Sequence, residues 1–375
     1  MPLETTADRG KLLHFRSLDG LRAIAVSAVL LFHVGECWQE PLQATAVGRL
    51  AFRVSDLGYA GVDLFFVLSG FLITGILVSS RGRTGYFRSF YARRTLRIFP
   101  LYYVFLALLA AVALSGAIRG AREFLADLPW YALYLTNVKF MRDSYTSFAP
   151  VQHLWSLAIE EQFYLVWPAV VAWLAPRRLL GVSVLAVLAV WILRALWVHH
   201  GASPVAVYVG TPTRLDTLLL GACLALARDE PWVDRAAPYI MGVGALACGL
   251  LLARLHGLAA GDPPVQTYGF AALAVLFTGM IASCVAREAR GGSLRMLALP
   301  SVQRIGKLSY GIYIFHWPVV LSVSALVSRF VPGGLPGFAL SCVLSGLASY
   351  GLASLSYRLL EAPLLALKDR YPRPA

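Results

Sequence analysis

Ten apolar runs, each near 20 residues, dominate this chain, at about 18–37, 59–79, 97–118, 154–174, 179–198, 213–228, 237–256, 268–286, 306–328 and 336–360. A helix of that length crosses the ~30 Å hydrocarbon core of a bilayer. In lipid every backbone N–H and C=O must be bonded inside the protein, which leaves only helix bundles and closed barrels. A barrel strand would alternate apolar and polar residues. These runs do not, so the sequence predicts an all-α, polytopic membrane bundle. The composition agrees, with 58% hydrophobic and 14% charged residues and a mean hydropathy of +0.66, where a soluble domain is about a quarter charged. The sixth run is the shortest and begins with polar residues. There is no internal repeat and no polar stretch long enough for a second folded domain, so residues 1–375 read as one membrane domain. Residues 1–16 are polar and mixed in charge, unlike a cleavable signal peptide.

The basic residues set an expected orientation. With ten spans, five groups fall on one side: Lys11 and Arg16; Arg81, Arg83, Arg88, Arg93, Arg94 and Arg97; Arg177 and Arg178; Arg287, Arg290, Arg295, Arg304 and Lys307; and Lys368, Arg370 and Arg373. The positive-inside rule makes that side, with both termini, cytoplasmic. The net charge of +13 therefore suits lipid headgroups. No nucleic-acid-binding motif accompanies it, and no nucleic acid partner is expected. The five cysteines are scattered without metal-ligand spacing, and no metal site is expected. The long segment 119–153 carries Trp130, Tyr131, Tyr134, Tyr145 and Phe148, and is expected to cap or enter the bundle with part of it helical.

Ionisable residues inside apolar spans are functional candidates by default. Arg22 and His33 lie eleven residues apart in the first run, within roughly 20° on one helical face and about 16 Å apart along the axis. The orientation puts Arg22 toward the cytoplasmic end. His33, Asp63, Glu160, Glu161, Arg214 and Asp216 then fall in the outer half, with His316 near mid-membrane. Ser156 shares a face with Glu160, which is favoured over Glu161 as the carboxylate turned to the centre. The competing structural readings are a snorkelling Arg22 and buried ion pairs that fix helix register, such as Asp63 with Arg214. At the inner surface Arg93 and Arg97 share a face at i,i+4, with Arg94 beside them. Guanidinium groups bind phosphate bidentately, so this cluster suits a phosphate-bearing ligand. The plainer alternative is anchoring to headgroups.

Six segments, in order, carry a resemblance. They are Ser17-Leu18-Asp19-Gly20-Leu21-Arg22 leading to His33, Gly61-Val62-Asp63-Leu64-Phe65-Phe66-Val67-Leu68-Ser69-Gly70-Phe71, and the stretch from Arg93 to Pro100. The others are Trp155-Ser156-Leu157-Ala158-Ile159-Glu160-Glu161-Gln162-Phe163-Tyr164, Arg214-Leu215-Asp216, and Ser309-Tyr310-Gly311-Ile312-Tyr313-Ile314-Phe315-His316. Together they resemble the acyltransferase-3 family of bacterial membrane acyltransferases over about residues 15–363. The resemblance implies a multi-pass protein of the bacterial cytoplasmic membrane. It would move an acyl group, often acetyl, from acyl-CoA to a hydroxyl of a surface polysaccharide, a lipid-linked glycan or a glycosylated metabolite such as an antibiotic. Some relatives carry a fused soluble hydrolase-like domain; none is expected here.

Under that resemblance the CoA phosphates would dock on Arg93, Arg94 and Arg97. His33 would act as general base on the acceptor hydroxyl, oriented by Glu160 or Asp63 as in a catalytic triad. Arg22 would stabilise the tetrahedral intermediate or hold the CoA arm. In a variant, His33 itself accepts the acyl group first. Glu161, Ser156, Arg214, Asp216, His316 and Tyr310 are assigned to substrate binding, with His316 the reserve base. No resident cofactor is expected, acyl-CoA being a substrate. The expected partners are acyl-CoA, the hydroxyl-bearing acceptor and membrane lipids, and a homodimer is compatible with the sequence. Two other classes compete. A transporter would also bury charges, although the missing inverted repeat argues against it. The other is a non-catalytic glycan- or lipid-binding scaffold.

Overall fold

The computed structural model describes residues 15–116, 119–292, 294–331 and 333–370. Lys11 and Arg373, and the side chain of Arg370, lie outside that description. Each of the ten apolar runs forms a helix. They are α1 (Arg16–Cys37), α2 (Ala60–Ser79), α3 (Tyr86–Leu114), α4 (Trp155–Trp173), α5 (Pro176–His199), α6 (Thr211–Ala227), α7 (Pro231–Leu255), α8 (Phe270–Ala289), α9 (Ser309–Phe330) and α10 (Gly334–Ser356). Among the described residues there is no strand. The protein is an all-α polytopic bundle.

Eight of the ten helices are long and apolar enough to cross a membrane; α4 and α6 are the exceptions. Those two also carry the polar motifs. α6 has 17 residues and buries Arg214, Asp216 and Thr217 completely. α4 holds Glu160, Glu161 and Gln162 in succession. Their polar side chains turn toward other helices, while the apolar lipid-facing surface is supplied by residues such as Leu185, Leu246 and Leu347. α2 and α6 approach backbone to backbone. A side chain at Gly70 would collide with the carbonyl of Leu218, and one at Gly221 with that of Val67. Small residues at such contacts are what let helices in lipid pack closely.

α3 begins at Tyr86, well before the apolar run starting near 97, and continues through Pro100. The arginine-bearing segment is therefore helical, and Arg93, Arg94 and Arg97 project from the early turns of a 29-residue helix. The segment after α3 forms two short helices, Ala121–Ala132 and Thr136–Asp143. Phe124, Tyr131, Phe140 and Phe148 from this region are fully buried. Tyr102 of α3 ties it down by donating to the Tyr131 carbonyl at 2.7 Å. It packs as a cap on the bundle, stabilised by aromatic stacking of Phe124 on both Phe148 and Tyr131.

Candidate active site

A cavity opens among α1, α2, α3, α4 and α9. Arg22, Arg94 and Arg97 line it together with Glu160, Glu161, Ser69, Tyr164 and Tyr310. Both glutamates reach it, although they are neighbours in sequence. Glu160 is the fixed one: its Oε1 accepts from Ser69 Oγ at 2.7 Å and its Oε2 from Tyr164 Oη at 3.4 Å. Arg94 lies over the Tyr164 ring, 5.5 Å from its centroid, where the ring quadrupole attracts the cation. Arg22 is braced by Asp19 at 2.8 Å, one helical turn earlier. Tyr310 donates to the Ile98 carbonyl at 2.6 Å and so links α9 to α3.

Arg94 and Arg97 also line a second cavity, with Arg93, Lys368, Ser80 and Ser89. Four cationic residues meet there, and among the described residues no carboxylate lines it. Arg93 Nη1 donates to the backbone carbonyl of Lys368 at 3.2 Å, which brings the end of the described chain onto α3. The two cavities share Arg94 and Arg97 in their walls. One is basic in its charged lining, and its neighbour holds both cations and carboxylates.

His33 is not in that cavity. Its ring stands beside Trp317, with centroids 4.4 Å apart, and beside His316 at 4.9 Å. His33 Nδ1 lies 2.9 Å from the Val29 carbonyl and 3.4 Å from His316 Nε2. His316 Nδ1 in turn lies 2.6 Å from the Tyr313 carbonyl. A third ring, His153, packs 5.1 Å from His316, with its Nε2 3.2 Å from the Ile314 carbonyl. Between the cavity and this cluster stands Tyr313, which lines the cavity on one side and packs 5.2 Å from His316 on the other. Tyr313 Oη donates to the His153 carbonyl at 3.0 Å. It also shares a hydrogen bond with Ser156 Oγ, 2.5 Å away, and Ser156 Oγ in turn lies 3.4 Å from the same His153 carbonyl.

This geometry corrects the triad expected from the sequence. Neither Glu160 nor Asp63 is a hydrogen-bond partner of His33. Glu160 sits on Ser69, six residues beyond Asp63 along α2, about 9 Å deeper. The cause is the turn Ala149–Leu154 preceding α4, whose Val151, His153 and Leu154 are buried. α4 therefore starts inside the bundle, and its glutamates reach the level of the arginines. The carboxylate facing His33 is Glu36, with Oε2 3.9 Å from Nε2. Asp63, Arg214 and Asp216 are engaged elsewhere. Arg214 Nη2 donates to Asp63 Oδ1 at 2.7 Å, and Arg194 Nη1 to Asp216 Oδ2 at 2.8 Å, all four side chains at 0% exposure. Trp191 Nε1 donates to the same Asp216 oxygen, and Arg214 stacks 4.1 Å from the Phe270 centroid. These residues form the register-fixing ion pairs that were the alternative reading of the sequence.

Sequence reasoning passed over four residues that shape the site. Arg194 is a lone arginine within the fifth apolar run, which is itself a signal. His153 precedes a motif already singled out. Ser69 and Tyr313 lay within quoted motifs, but nothing in their residue type marked their roles.

Comparisons with known proteins bear on this arrangement. Residues 15–353 match the acyltransferase domain family known as acyltransferase-3. The peptidoglycan O-acetyltransferase OatA of Listeria monocytogenes is 30% identical over 375 residues, covering 93% of this chain and 55% of its own length. The O-acetyltransferase OatA of Staphylococcus aureus is 29% identical over 370 residues, covering 92% of this chain and 56% of its own. The chain thus spans little more than half the length of these relatives. No solved structure matches it. With a family match across nearly the whole bundle, the chain belongs to the acyltransferase-3 family of membrane acyltransferases.

Proposed function

We propose that the protein transfers an acyl group, acetyl in the first instance, from acyl-CoA to a hydroxyl of a cell-envelope glycan at the bacterial cytoplasmic membrane. The carrying observation is a pair of neighbouring cavities: a basic one lined by Arg93, Arg94, Arg97 and Lys368, which shares Arg94 and Arg97 with one whose lining reaches Ser156 and Tyr313. The CoA phosphates pair with the arginines, on the side that the positive-inside rule makes cytoplasmic. The pantetheine arm runs along the cavity that holds Glu160 and Glu161, past Arg22 toward Tyr313. The glycan acceptor is suggested by the printed activity of the Listeria relative, a peptidoglycan O-acetyltransferase.

His33 removes the proton of the acceptor hydroxyl. The hydroxyl oxygen attacks the thioester carbonyl, the C–S bond breaks, and the proton passes from His33 to the departing thiolate. Arg22 lies about 16 Å from His33 along α1 and so holds the donor's arm rather than the reacting carbonyl. For the acyl carbon to meet His33, the Ser156–Tyr313 partition must part. In this reading Glu160, held by Ser69, fixes the Arg94 side of the donor cavity.

The test uses the purified protein in proteoliposomes, with labelled acetyl-CoA outside and a soluble glycan acceptor inside. Expected is a mass gain of one acetyl group on the glycan, lost in Arg94→Ala and His33→Gln. Donor binding without any acylated product, in the presence of several glycan classes, would overturn the reading.

A further inference from the structure

Hydrogen-bond directions in the histidine cluster can be assigned, because three of its contacts end on backbone carbonyls, which only accept. His316 Nδ1, 2.6 Å from the Tyr313 carbonyl, carries its proton. His316 Nε2 in the neutral ring is then a lone pair. His153 Nε2, 3.2 Å from the Ile314 carbonyl, carries its proton as well. His33 Nδ1 faces the Val29 carbonyl at 2.9 Å and so carries a proton, which is shared with the His316 lone pair at 3.4 Å. The basic nitrogen of His33 is therefore Nε2, on the side of the ring that faces Glu36. His316 is fully buried, and His33 has only 13% of its side chain exposed.

We infer that His316 is the positioning residue of the reaction, taking the place a carboxylate holds in a triad. It shares His33 Nδ1–H with the Val29 carbonyl, helps that carbonyl hold the His33 ring in the tautomer whose Nε2 is free to act as base, and supports the imidazolium that forms when Nε2 gains a proton. Its own Nδ1 is committed to the Tyr313 carbonyl, so it is not a reserve base. The chain of contacts runs Val29 and His316 to His33, and Tyr313 to His316. The same Tyr313 closes the donor cavity through its side chain. This deepens the proposed function and rests on His33 being its base.

The test compares His316→Phe, which fills similar volume without an acceptor, with His316→Gln, whose amide oxygen can accept from His33 Nδ1–H. Both are assayed in proteoliposomes after thermal melting has shown them folded, with His316→Leu replacing the phenylalanine variant if that one does not fold. Expected is a fall in kcat on the order of 100-fold for His316→Phe at unchanged donor KM, with recovery to within about tenfold in His316→Gln. The His33→Gln and His316→Phe changes should also be non-additive, the double variant no slower than His33→Gln alone. Equal loss in the Phe and Gln variants, or near-normal kcat in His316→Phe, overturns the inference. If His33→Gln is itself active, the base assignment fails instead. If His33→Gln is inactive and His316→Phe active, only the role of His316 falls.

Discussion

Arg214 and Asp63, from helices 151 residues apart in sequence, meet at 2.7 Å with neither side chain exposed. A second pair joins Arg194 of α5 to Asp216, two residues after Arg214 on α6. Two ionic contacts in a dry interior fix the register of α2, α5 and α6, and removing one partner leaves a charge buried without compensation.

Asp63→Ala should therefore destabilise the bundle by about 3–5 kcal/mol. The double variant Asp63→Leu with Arg214→Met should recover much of that loss. Thermal denaturation in detergent measures both. A stable, folded Asp63→Ala protein that has lost activity would show that Asp63 acts in the chemistry instead.

Arg94 is placed to meet both cavities and to stack on Tyr164. Arg94→Ala should weaken CoA binding by about 1.5–3 kcal/mol, the range for hydrogen bonds to charged groups. Arg94→Lys should restore little, because an ammonium offers neither the planar fork nor the stacking face. Equilibrium binding of CoA to the detergent-solubilised protein distinguishes these outcomes. Full recovery by lysine would mean that the site reads charge alone.

Ser69 gives Glu160 one neutral hydroxyl hydrogen bond. Its removal in Ser69→Ala should lower kcat/KM by roughly tenfold, in line with the lower end of about 1.5–3 kcal/mol for a hydrogen bond to a charged group. Glu160→Ala should cost far more, since it leaves Arg94 and the Tyr164 hydroxyl facing a gap. Steady-state kinetics on the two variants checks the order. A more severe loss for Ser69→Ala than for Glu160→Ala would contradict the assigned geometry.

Tyr313 separates the cavity lined by Arg94 and Glu160 from the histidine cluster. Tyr313→Ala should open that wall and admit water to the thioester. The readout is free CoA released without acceptor, expected to rise several-fold while acyl transfer to the glycan falls. Unchanged hydrolysis would mean that another group closes the passage.

Gly70 and Gly221 sustain the close contact of α2 with α6. Gly70→Leu should abolish folding, because the obstruction is the backbone of Leu218 rather than a side chain that could move. Gly75, with open space around it, should accept alanine without loss. Yield of monodisperse protein after gel filtration compares the two.

The helices themselves were legible residue by residue. A run of about 20 apolar residues in lipid must be helical whatever its neighbours do, because its backbone can bond only within itself. Arg22 and His33 were likewise readable as two stations on one face, since helical rise and twist are local quantities. The arginines Arg93, Arg94 and Arg97 stood out by type and spacing. What the chain alone did not determine was which charge meets which. Asp63 and Glu160 seemed level with His33 only while each helix was assumed to begin at the surface. The buried turn before α4 lowers Glu160 to Ser69 and the arginines, and α5 contributes Arg194 to Asp216. Depth and partnership are set by packing among helices distant in sequence. Tertiary structure thus assigned Asp63 to Arg214, Glu160 to Ser69 and the cavity that Arg94 lines, and His33 to His316.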